Sequence, residues 1–468
     1  MEQLFSSHEL VSATGGEGRD LPASIASVSI DSRELEPDAL FVAIKGERFD
    51  GHDFVERALA SGAVAAMVSR DRADGLEGPL LIVPDTLEAL VALARAARSR
   101  SHARIVAVTG SVGKTTTKEA MRLAFTSAGN THASVKSFNN HWGVPLTLAR
   151  LPRAADFGVF EVGMNHAGEI TPLTKLVRPH ICVITSIAPA HLAAFSSVAD
   201  IARAKAEIFA GLEPGGVALL NTDHDQIELL KQEAQKAGAG ILTYGYAPGA
   251  DWRIEAYEAS DDAARAAVHH DGEVLSLEIG APGRHMIANA TAALAAASLA
   301  GIAPATALRT LRQFGAQAGR GKKLLLGEAN PLVLIDESYN ANTASVLAAL
   351  EVFGGLTAAG RKVLVLGDML ELGERSAELH AGLKDAVIAS GADKIYLVGE
   401  HMAALAAALG PARVTASTRS AEEMMEPLLA GLAYGDTVMI KGSNGVRLSG
   451  LIERIRDKFQ ARSPSKDD

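Results

Sequence analysis

The 468-residue chain has one cysteine and few aromatic residues. Cys182 stands alone, so the chain can form neither an internal disulfide nor a cysteine-based zinc site, as is usual in a reducing cytoplasm. Aromatic residues make up 4% of the chain and hydrophobic residues 48%, so its cores must consist mainly of Ala, Leu, Val and Ile. Because this length exceeds what one core supports, we expect about three domains.

The sequence also lacks a basic excess and any targeting signal. The formal net charge is −10, which argues against nucleic acid and anionic membranes as main partners. The N-terminus has no basic start followed by an apolar core, so we expect no signal peptide. Residues 286–308 carry no charge, but Gly301 and Pro304 interrupt them, which favours a buried helix ending near Ala300. We therefore expect a cytoplasmic monomer without membrane insertion.

What the chain does contain is a phosphate-binding loop in RIVAVTGSVGKTTT, residues 104–117. An apolar β-branched run enters a glycine turn, and a helix-like segment follows. Backbone N–H groups of such a loop cradle phosphates, the lysine reaches the terminal phosphates, and the next threonine can ligate Mg²⁺. The usual pattern has glycine where this chain has Val108, so the loop is a variant. The expected nucleotide contacts are Gly110, Ser111, Val112, Gly113, Lys114, Thr115 and Thr116.

Strand and helix patterns alternate along the chain and predict an α/β protein of three domains. These are a small N-terminal α/β domain (1–102), a central P-loop ATPase domain with a parallel sheet (103–318) and a C-terminal Rossmann-like domain (319–468). Segment 252–277 alternates polar and apolar residues, which suggests an antiparallel addition. Strands are expected at 105–109, 158–162, 182–186, 217–221, 241–244, 332–335, 362–366, 394–398 and 437–440.

Five polar residues are candidates for chemistry, and they lie near the carboxyl ends of strands, on a hinge or, for Lys205, on a helix. Glu161 and His191 follow central strands and can serve Mg²⁺, although each by itself is more often an ordinary surface residue. Lys205 borders an apolar helix stripe, so it either extends to solvent or is held in a site, where its free amine can react with CO₂. Arg320 and Asp336 can bind a γ-phosphate and a ribose, or be a hinge charge and a turn residue. Spacing leaves these alternatives open.

Several motifs in this order resemble the Mur ligases, ATP-dependent amide-bond-forming enzymes of peptidoglycan synthesis. The resemblance covers nearly the whole chain and is closest to the member that adds D-alanyl-D-alanine to UDP-N-acetylmuramoyl-tripeptide. The phosphate loop is common to many families, whereas the combination of EVGMNHAGEI, ARAKAEIF and SYNAN is specific. The segments that carry it are 31–54, TGSVGKTTTKE, FNNHWGVPLTL, EVGMNHAGEI, AHL, ARAKAEIF, DESYNAN, LGDMLELG and KGSNGVR.

The resemblance implies a role for each matching residue. ATP and Mg²⁺ are the implied cofactors, and Lys205 matches the lysine that is carbamylated in this family. The implied catalytic residues are Lys114, Lys205 and His191, and the implied metal-site residues are Thr115, Glu161, His191 and Lys205. For ATP, the resemblance places Lys114 and Arg320 at the γ-phosphate, Asn289 near the adenine and Asp336 at the ribose. For the other substrates, it implies Ser32, Lys45, Asn139 and Asn140 toward the UDP-sugar peptide, and Asn340 and Asn342 toward the dipeptide.

The sequence departs from the family pattern in three places. Thr343 follows SYNAN where the family usually has proline, His141–Trp142 replaces an acidic–aliphatic pair, and Ala193 follows AHL where an acidic residue is common. The first affects turn rigidity, and the other two bear on substrate contacts.

Two other classes of function are weighed against this one. The first class is another ligase of the superfamily. A diamino-acid-adding enzyme is disfavoured by the missing DNPR motif, and a folylpolyglutamate synthase is disfavoured by the N-terminal domain. A P-loop nucleotide switch would need a guanine-reading NKxD motif, which Asn221–Thr222–Asp223 does not supply.

Overall fold

The computed structural model describes residues 3–46, 49–135, 137–190 and 192–460. These residues form three main sheets with helices packed on them, one sheet in each predicted region of the chain. The α/β class and the three-region architecture are confirmed, while the domain bounds given above stay predictions. Among the described residues, no helix has the length and apolar character needed to cross a membrane.

The first region contains a five-stranded sheet in the order β2-β7-β6-β5-β4, parallel except at β2. A small antiparallel pair, β1 with β3, lies beside it. The elements are β1 (Phe5–Ser6), α1 (Ser7–Thr14), β2 (Glu17–Arg19), β3 (Ser24–Ile25), β4 (Ser27–Ser29), β5 (Ala39–Val42), α2 (Val55–Ala60), β6 (Ala63–Ser69), β7 (Leu80–Val83) and α3 (Thr86–Arg100).

The central region contains a nine-stranded sheet in the order β16-β15-β14-β13-β12-β11-β8-β10-β9. It is parallel from β9 to β14, and β14, β15 and β16 form the antiparallel addition that the alternating sequence predicted. The elements are β8 (Arg104–Thr109), α4 (Lys114–Thr126), β9 (Thr131–Ala133), α5 (Gly143–Ala149), β10 (Phe157–Glu161), α6 (Ile170–Val177), β11 (Ile181–Ile184), α7 (Val198–Ala206), β12 (Val217–Asn221), α8 (Ile227–Lys236), β13 (Gly240–Gly245), β14 (Trp252–Ala259), β15 (Ala264–His270), β16 (Glu273–Ile279), α9 (Arg284–Leu299) and α10 (Pro304–Leu311).

The third region contains a six-stranded sheet in the order β17-β18-β22-β19-β20-β21, parallel except between β17 and β18. The sequence missed β17, because its first residues read as a charged loop, GRGKK. The elements are β17 (Lys322–Leu326), β18 (Leu332–Glu337), α11 (Thr343–Gly355), β19 (Lys362–Gly367), α12 (Ser376–Ala381), α13 (Lys384–Ala389), β20 (Lys394–Val398), α14 (Met402–Leu409), β21 (Ala416–Thr418), α15 (Ala421–Gly431), β22 (Thr437–Lys441) and α16 (Ser449–Phe459).

Buried alanine and β-branched residues explain why the middle of the molecule is well packed. Strand β8 is apolar on both faces because helices cover both sides of the parallel sheet. Helix α9 is buried along most of its length and packs on α4, and it ends at Leu299 before α10 begins at Pro304, so the uncharged segment 286–308 is divided between two helices and is not a span. Its small alanine side chains let the two helices approach closely.

Arginines fix the first region to the central one. Arg98, 5% exposed, donates from Nε to the Val177 carbonyl and from Nη2 to the Arg178 carbonyl, both at 2.7 Å. Arg150 donates to the carbonyl of Val28 at 2.5 Å. Charged donors on buried carbonyls are strong hydrogen bonds that are costly to break, so these two regions form a firm interface.

Candidate active site

The phosphate loop lies between β8 and α4, at the carboxyl edge of the central sheet. Gly110 has φ 153° and Gly113 has φ 87°, conformations that favour glycine. A Cβ at Gly110 would overlap the Thr185 hydroxyl oxygen, and one at Gly113 would lie 2.8 Å from Asn289 Oδ1. Both glycines are therefore required by close neighbours, and the second contact brings Asn289 of α9 beside the loop.

Lys114 begins helix α4 and folds back over its own loop. Its Nζ donates to the Gly110 carbonyl at 2.8 Å. Desolvation lowers the pKa of Lys114, Arg320 adds to this shift, and Glu161 opposes it. The side chain of Lys114 therefore lies against the loop, where a lysine can reach a bound phosphate.

A chain of hydrogen bonds connects the loop to Glu161 at the end of β10. Thr115 Oγ1 donates to Glu161 Oε2 at 2.8 Å, and Asn139 Nδ2 donates to Oε1 at 2.7 Å. Glu161 is 1% exposed, and the Ser137 hydroxyl lies 3.2 Å from Thr115 Oγ1. A buried carboxylate and hydroxyls beside a phosphate loop are hard oxygen donors, which fit Mg²⁺.

Lys205 is buried in α7, with 1% of its surface exposed. The snorkelling alternative is therefore wrong. Burial, together with the nearby ammonium of Lys114, lowers the pKa of Lys205 well below its usual range. Within the described part of the chain its amine has no hydrogen-bond or ion-pair partner. A buried amine that is easily deprotonated is a nucleophile, so Lys205 has the properties that carbamate formation needs.

The third region contributes Arg320 to the same site. Its Nη2 donates to Thr115 Oγ1 at 3.0 Å, and its guanidinium lies 4.2 Å from the ring centroid of Tyr339. Asp336 is inside β18, where Oδ2 accepts from Gly319 N at 2.8 Å and Oδ1 accepts from the Ser338 hydroxyl at 2.7 Å. The stacked tyrosine and this turn hold the arginine over the phosphate loop.

A cleft of about 1,060 Å³ is lined by residues of α3 in the first region and by residues at α5 and α6 of the central one. Asn139 and Asn140 line it next to the Thr115–Glu161 pair, and Glu88, Arg95 and Lys175 line its walls. Because the cleft reaches Asn139, which contacts Glu161, it connects the first domain to the phosphate loop.

The structure brings most of the predicted site residues together, but not all. Lys45 is exposed in a loop whose Gly46 faces Trp142 across the domain boundary, and Ser32 is half-buried in the turn after β4. His191, Glu47 and Arg48 lie outside the described residues. Ala193 donates its N–H to the Glu371 carbonyl at 3.2 Å, so its loop contacts the third region.

Three asparagines predicted to bind substrate have structural partners of their own. Asn140 Oδ1 accepts from Gly143 N at 2.9 Å at the start of α5, and Asn342 caps α11 in a reciprocal box with Ser345. Asn340 is exposed, and its carbonyl accepts from the buried Lys441 at 3.0 Å. Their roles toward substrate stay predictions.

The sequence did not point to Thr185 or Tyr339 as part of the site. Thr185 follows β11, packs on Gly110 and donates to the Val112 carbonyl at 2.5 Å. Tyr339 lies within SYNAN, where the asparagines and not the tyrosine were predicted to bind substrate. Both residues act through neighbours that are distant in sequence, so only their position just after a strand could have indicated them.

Replacing Gly110 with alanine tests the close approach of the loop. We expect Gly110→Ala to lower the free energy of unfolding by about 2–4 kcal/mol and to weaken ATP binding about tenfold, because the methyl group must displace Thr185. Gly168→Ala is the matched control: it has φ 87° but nothing within 4 Å, so only backbone strain of about 1 kcal/mol is expected. Calorimetric titration with ATP and thermal melts measure both, and equal effects of the two variants would contradict the steric argument.

Comparison with known proteins agrees with this geometry. Residues 24–105 match the Mur ligase family, catalytic domain; residues 108–297 match the Mur ligase middle domain; and residues 323–444 match the Mur ligase, glutamate ligase domain. The chain is 35% identical to the UDP-N-acetylmuramoyl-tripeptide–D-alanyl-D-alanine ligase of Escherichia coli (strain K12), over 96% of this chain and 98% of that protein. It is 32% identical to the enzyme of the same name from Bacillus subtilis (strain 168), over 96% of both.

A solved structure extends the likeness to three dimensions. The crystal structure of MurF from Acinetobacter baumannii superposes with a TM-score of 0.84 at 30% identity, over 97% of this chain and 99% of that one. With its phosphate loop, its buried Thr115–Glu161 pair and its three matching domains, this chain belongs to the Mur ligase family.

Proposed function

We propose that this protein is an ATP-dependent ligase that adds D-alanyl-D-alanine to UDP-N-acetylmuramoyl-tripeptide in the synthesis of peptidoglycan precursors. The observation that carries the proposal is that cations from two domains meet at one phosphate loop, Lys114 at the Gly110 carbonyl and Arg320 at Thr115. Similarity over nearly the full length to ligases of that name supports the choice of substrates.

The reaction begins with activation of a carboxylate, which is a poor acyl donor by itself. An oxygen of the tripeptide's terminal carboxylate attacks the γ-phosphorus of ATP, a new O–P bond forms, and the bond to the β-phosphate oxygen breaks to release ADP. Lys114 and Arg320 neutralise charge on the transferred group. We assign Asn289, which lies beside Gly113, to the adenine and Asp336 to the ribose.

The second step makes the amide bond. The dipeptide amine attacks the carbon of the acyl phosphate, a C–N bond forms, inorganic phosphate leaves with its bonding electrons, and the nitrogen loses a proton. Water must be kept out, because it would hydrolyse the same acyl phosphate. The third domain, which carries Arg320 over the loop, is the element that covers this side of the site.

The donor set at the phosphate loop fits Mg²⁺. Thr115 and Glu161 would hold it from the protein side, with His191 as a further candidate, and ATP oxygens complete such sites. Bound there, Mg²⁺ would supply positive charge that offsets the negative charge of the phosphates. Asn139 orients the Glu161 carboxylate through its 2.7 Å hydrogen bond.

We also propose that Lys205 is carbamylated. Its neutral amine attacks CO₂, an N–C bond forms, and one proton is released, which leaves an anionic carbamate. Because burial and Lys114 both disfavour the ammonium form, the amine is available near neutral pH to a degree that an exposed lysine is not. The carbamate would place a negative charge close to Lys114 and to the Thr115–Glu161 pair.

The remaining assignments concern the two other substrates. The cleft between α3 and α6 leads to Asn139 and is the route we assign to the UDP-sugar peptide. Ser32 and Lys45, which are not among the residues that line this cleft, are also assigned to the UDP-sugar. Asn340 and Asn342, on the third domain, are assigned to the dipeptide. We also propose that the protein is a cytoplasmic monomer.

Phosphate release tests the function directly. We expect release from ATP only when both UDP-N-acetylmuramoyl-tripeptide and D-alanyl-D-alanine are present, with mass spectrometry detecting the pentapeptide product. Each substrate omitted in turn is the control. Release with UDP-N-acetylmuramoyl-dipeptide and a diamino acid instead would overturn the proposal in favour of another ligase of the family.

A further inference from the structure

The antiparallel addition to the central sheet reaches the third domain through the tip of one hairpin. Strands β14 and β15 are joined by a turn at residues 260–263, closed by the Ser260 N–H on the Ala263 carbonyl at 2.9 Å. Asp261 and Asp262 occupy the tip of this turn. Among the described residues, the tip contacts the third domain at two separate elements.

The first of these elements is strand β17. Lys323 Nζ donates to the Asp261 carbonyl and pairs with Asp262 Oδ1 at 2.9 Å. The second is the end of α11, where the main-chain N–H of Thr357 donates to Asp261 Oδ1 at 3.2 Å. Contacts at two elements restrain rotation as well as separation, which one ion pair on a flexible side chain does not.

The position of Lys323 connects this contact to the active site. Lys323 is three residues after Arg320, a span of roughly 10 Å in extended chain. The segment between them is held on β18, since Gly321 N donates to the Asp336 carbonyl at 2.8 Å and Lys322 lies opposite Asp336. One end of the segment is fixed at the hairpin tip, and the other carries the guanidinium that contacts Thr115.

We propose that the hairpin tip, Asp261–Asp262, is a docking stop for the third domain, and that Lys323 is a positioning residue that sets where Arg320 meets the phosphate loop. The proposal rests on the proposed function for its kinetic consequence only. Hydrogen bonds from arginines hold the first domain firmly on the central one. The orientation of the third domain depends on few polar contacts, and the hairpin tip limits that orientation.

The chain provides a matched control for Lys323. Lys322 is the neighbouring lysine on the same strand, it is exposed, and alternation places its side chain on the opposite face. Lys323→Gln should lower kcat/KM for ATP about fivefold, the scale of one partly exposed ion pair with its hydrogen bond. Lys322→Gln and the conservative Lys323→Arg should remain within about twofold of the wild type.

A second pair of variants tests the other side of the contact. Asp262→Asn should lower kcat/KM for ATP in the same direction as Lys323→Gln. Asp271→Asn, at the other turn of the same antiparallel addition, should have no effect, because the one ion pair of its exposed carboxylate among the described residues is with its neighbour His270.

An interdomain distance, measured without turnover, separates the two proposals. Cysteines introduced at the exposed Glu273 and Glu426 carry spin labels, while the native Cys182 is fully buried and remains unlabelled. Double electron–electron resonance should show a broader distribution of distances between the two spin labels in Lys323→Gln than in the wild type or Lys322→Gln. An unchanged distribution, or a broadened one with unchanged kcat/KM, would overturn the stop. A broadened distribution in a protein that fails to ligate D-alanyl-D-alanine would overturn the function and leave the stop standing.

Discussion

Replacing Lys205 with alanine is expected to reduce turnover on the order of a thousandfold, the scale at which a preorganised charge in an active site contributes. Lys205 is buried beside Lys114, and neither the hydrophobic core nor the described hydrogen bonds explain why a lysine is kept there. The proposed carbamate would explain it, because it would convert a costly buried amine into an anion that Lys114 and a metal ion could both stabilise.

Chemical rescue distinguishes the carbamate from a structural lysine. Adding millimolar formate or acetate to Lys205→Ala should restore part of the activity, since a small carboxylate can occupy the space of the missing group. Lys231→Ala, at a half-buried surface lysine of α8, is the control and should retain full activity. Full activity of Lys205→Ala, or a dead variant that no short carboxylate rescues, would contradict carbamylation.

Replacing Glu161 with glutamine is expected to lower kcat about a hundredfold and to raise the Mg²⁺ concentration needed for half-maximal rate. The substitution removes a charge and little else, because the amide oxygen can still accept from Asn139 and the amide nitrogen can donate to Thr115. The fold should therefore survive, and the loss should report on the metal.

Magnesium titrations of the steady-state rate measure this effect, and thermal melts verify the fold. Glu228→Gln, at an exposed glutamate of α8, is the matched control and should leave the Mg²⁺ dependence unchanged. If Glu161→Gln loses activity with an unaltered Mg²⁺ dependence, Glu161 positions Thr115 and does not bind the metal.

Local sequence patterns were sufficient for most secondary structure. Apolar β-branched runs identified β8, β10 and β11 because strands of a sheet covered on both faces are apolar throughout. Alternation identified the antiparallel addition, where one face of each strand is solvated. Strand β17 was missed, since its lysines gain their strand conformation from pairing with β18 and not from their own pattern.

In the candidate site, too, local sequence patterns predicted some features and not others. Lys114 and Thr115 were identified by spacing within one loop, because neighbours in sequence there are neighbours in space. The contacts of Asn139 with Glu161, and of Arg320 with Thr115, join segments 22 and 205 residues apart, and no local pattern encodes such distances.

By itself the sequence determined the α/β class, the phosphate loop and the resemblance to the Mur ligases, since each depends on residues at short spacing. Only the tertiary structure decided between the two interpretations of Lys205, because burial is set by what packs against a helix and not by the helix itself. It alone also placed the third domain, through Arg320 at the loop and Lys323 at the hairpin tip. Those contacts depend on the relative orientation of two sheets, which the packing of distant surfaces determines.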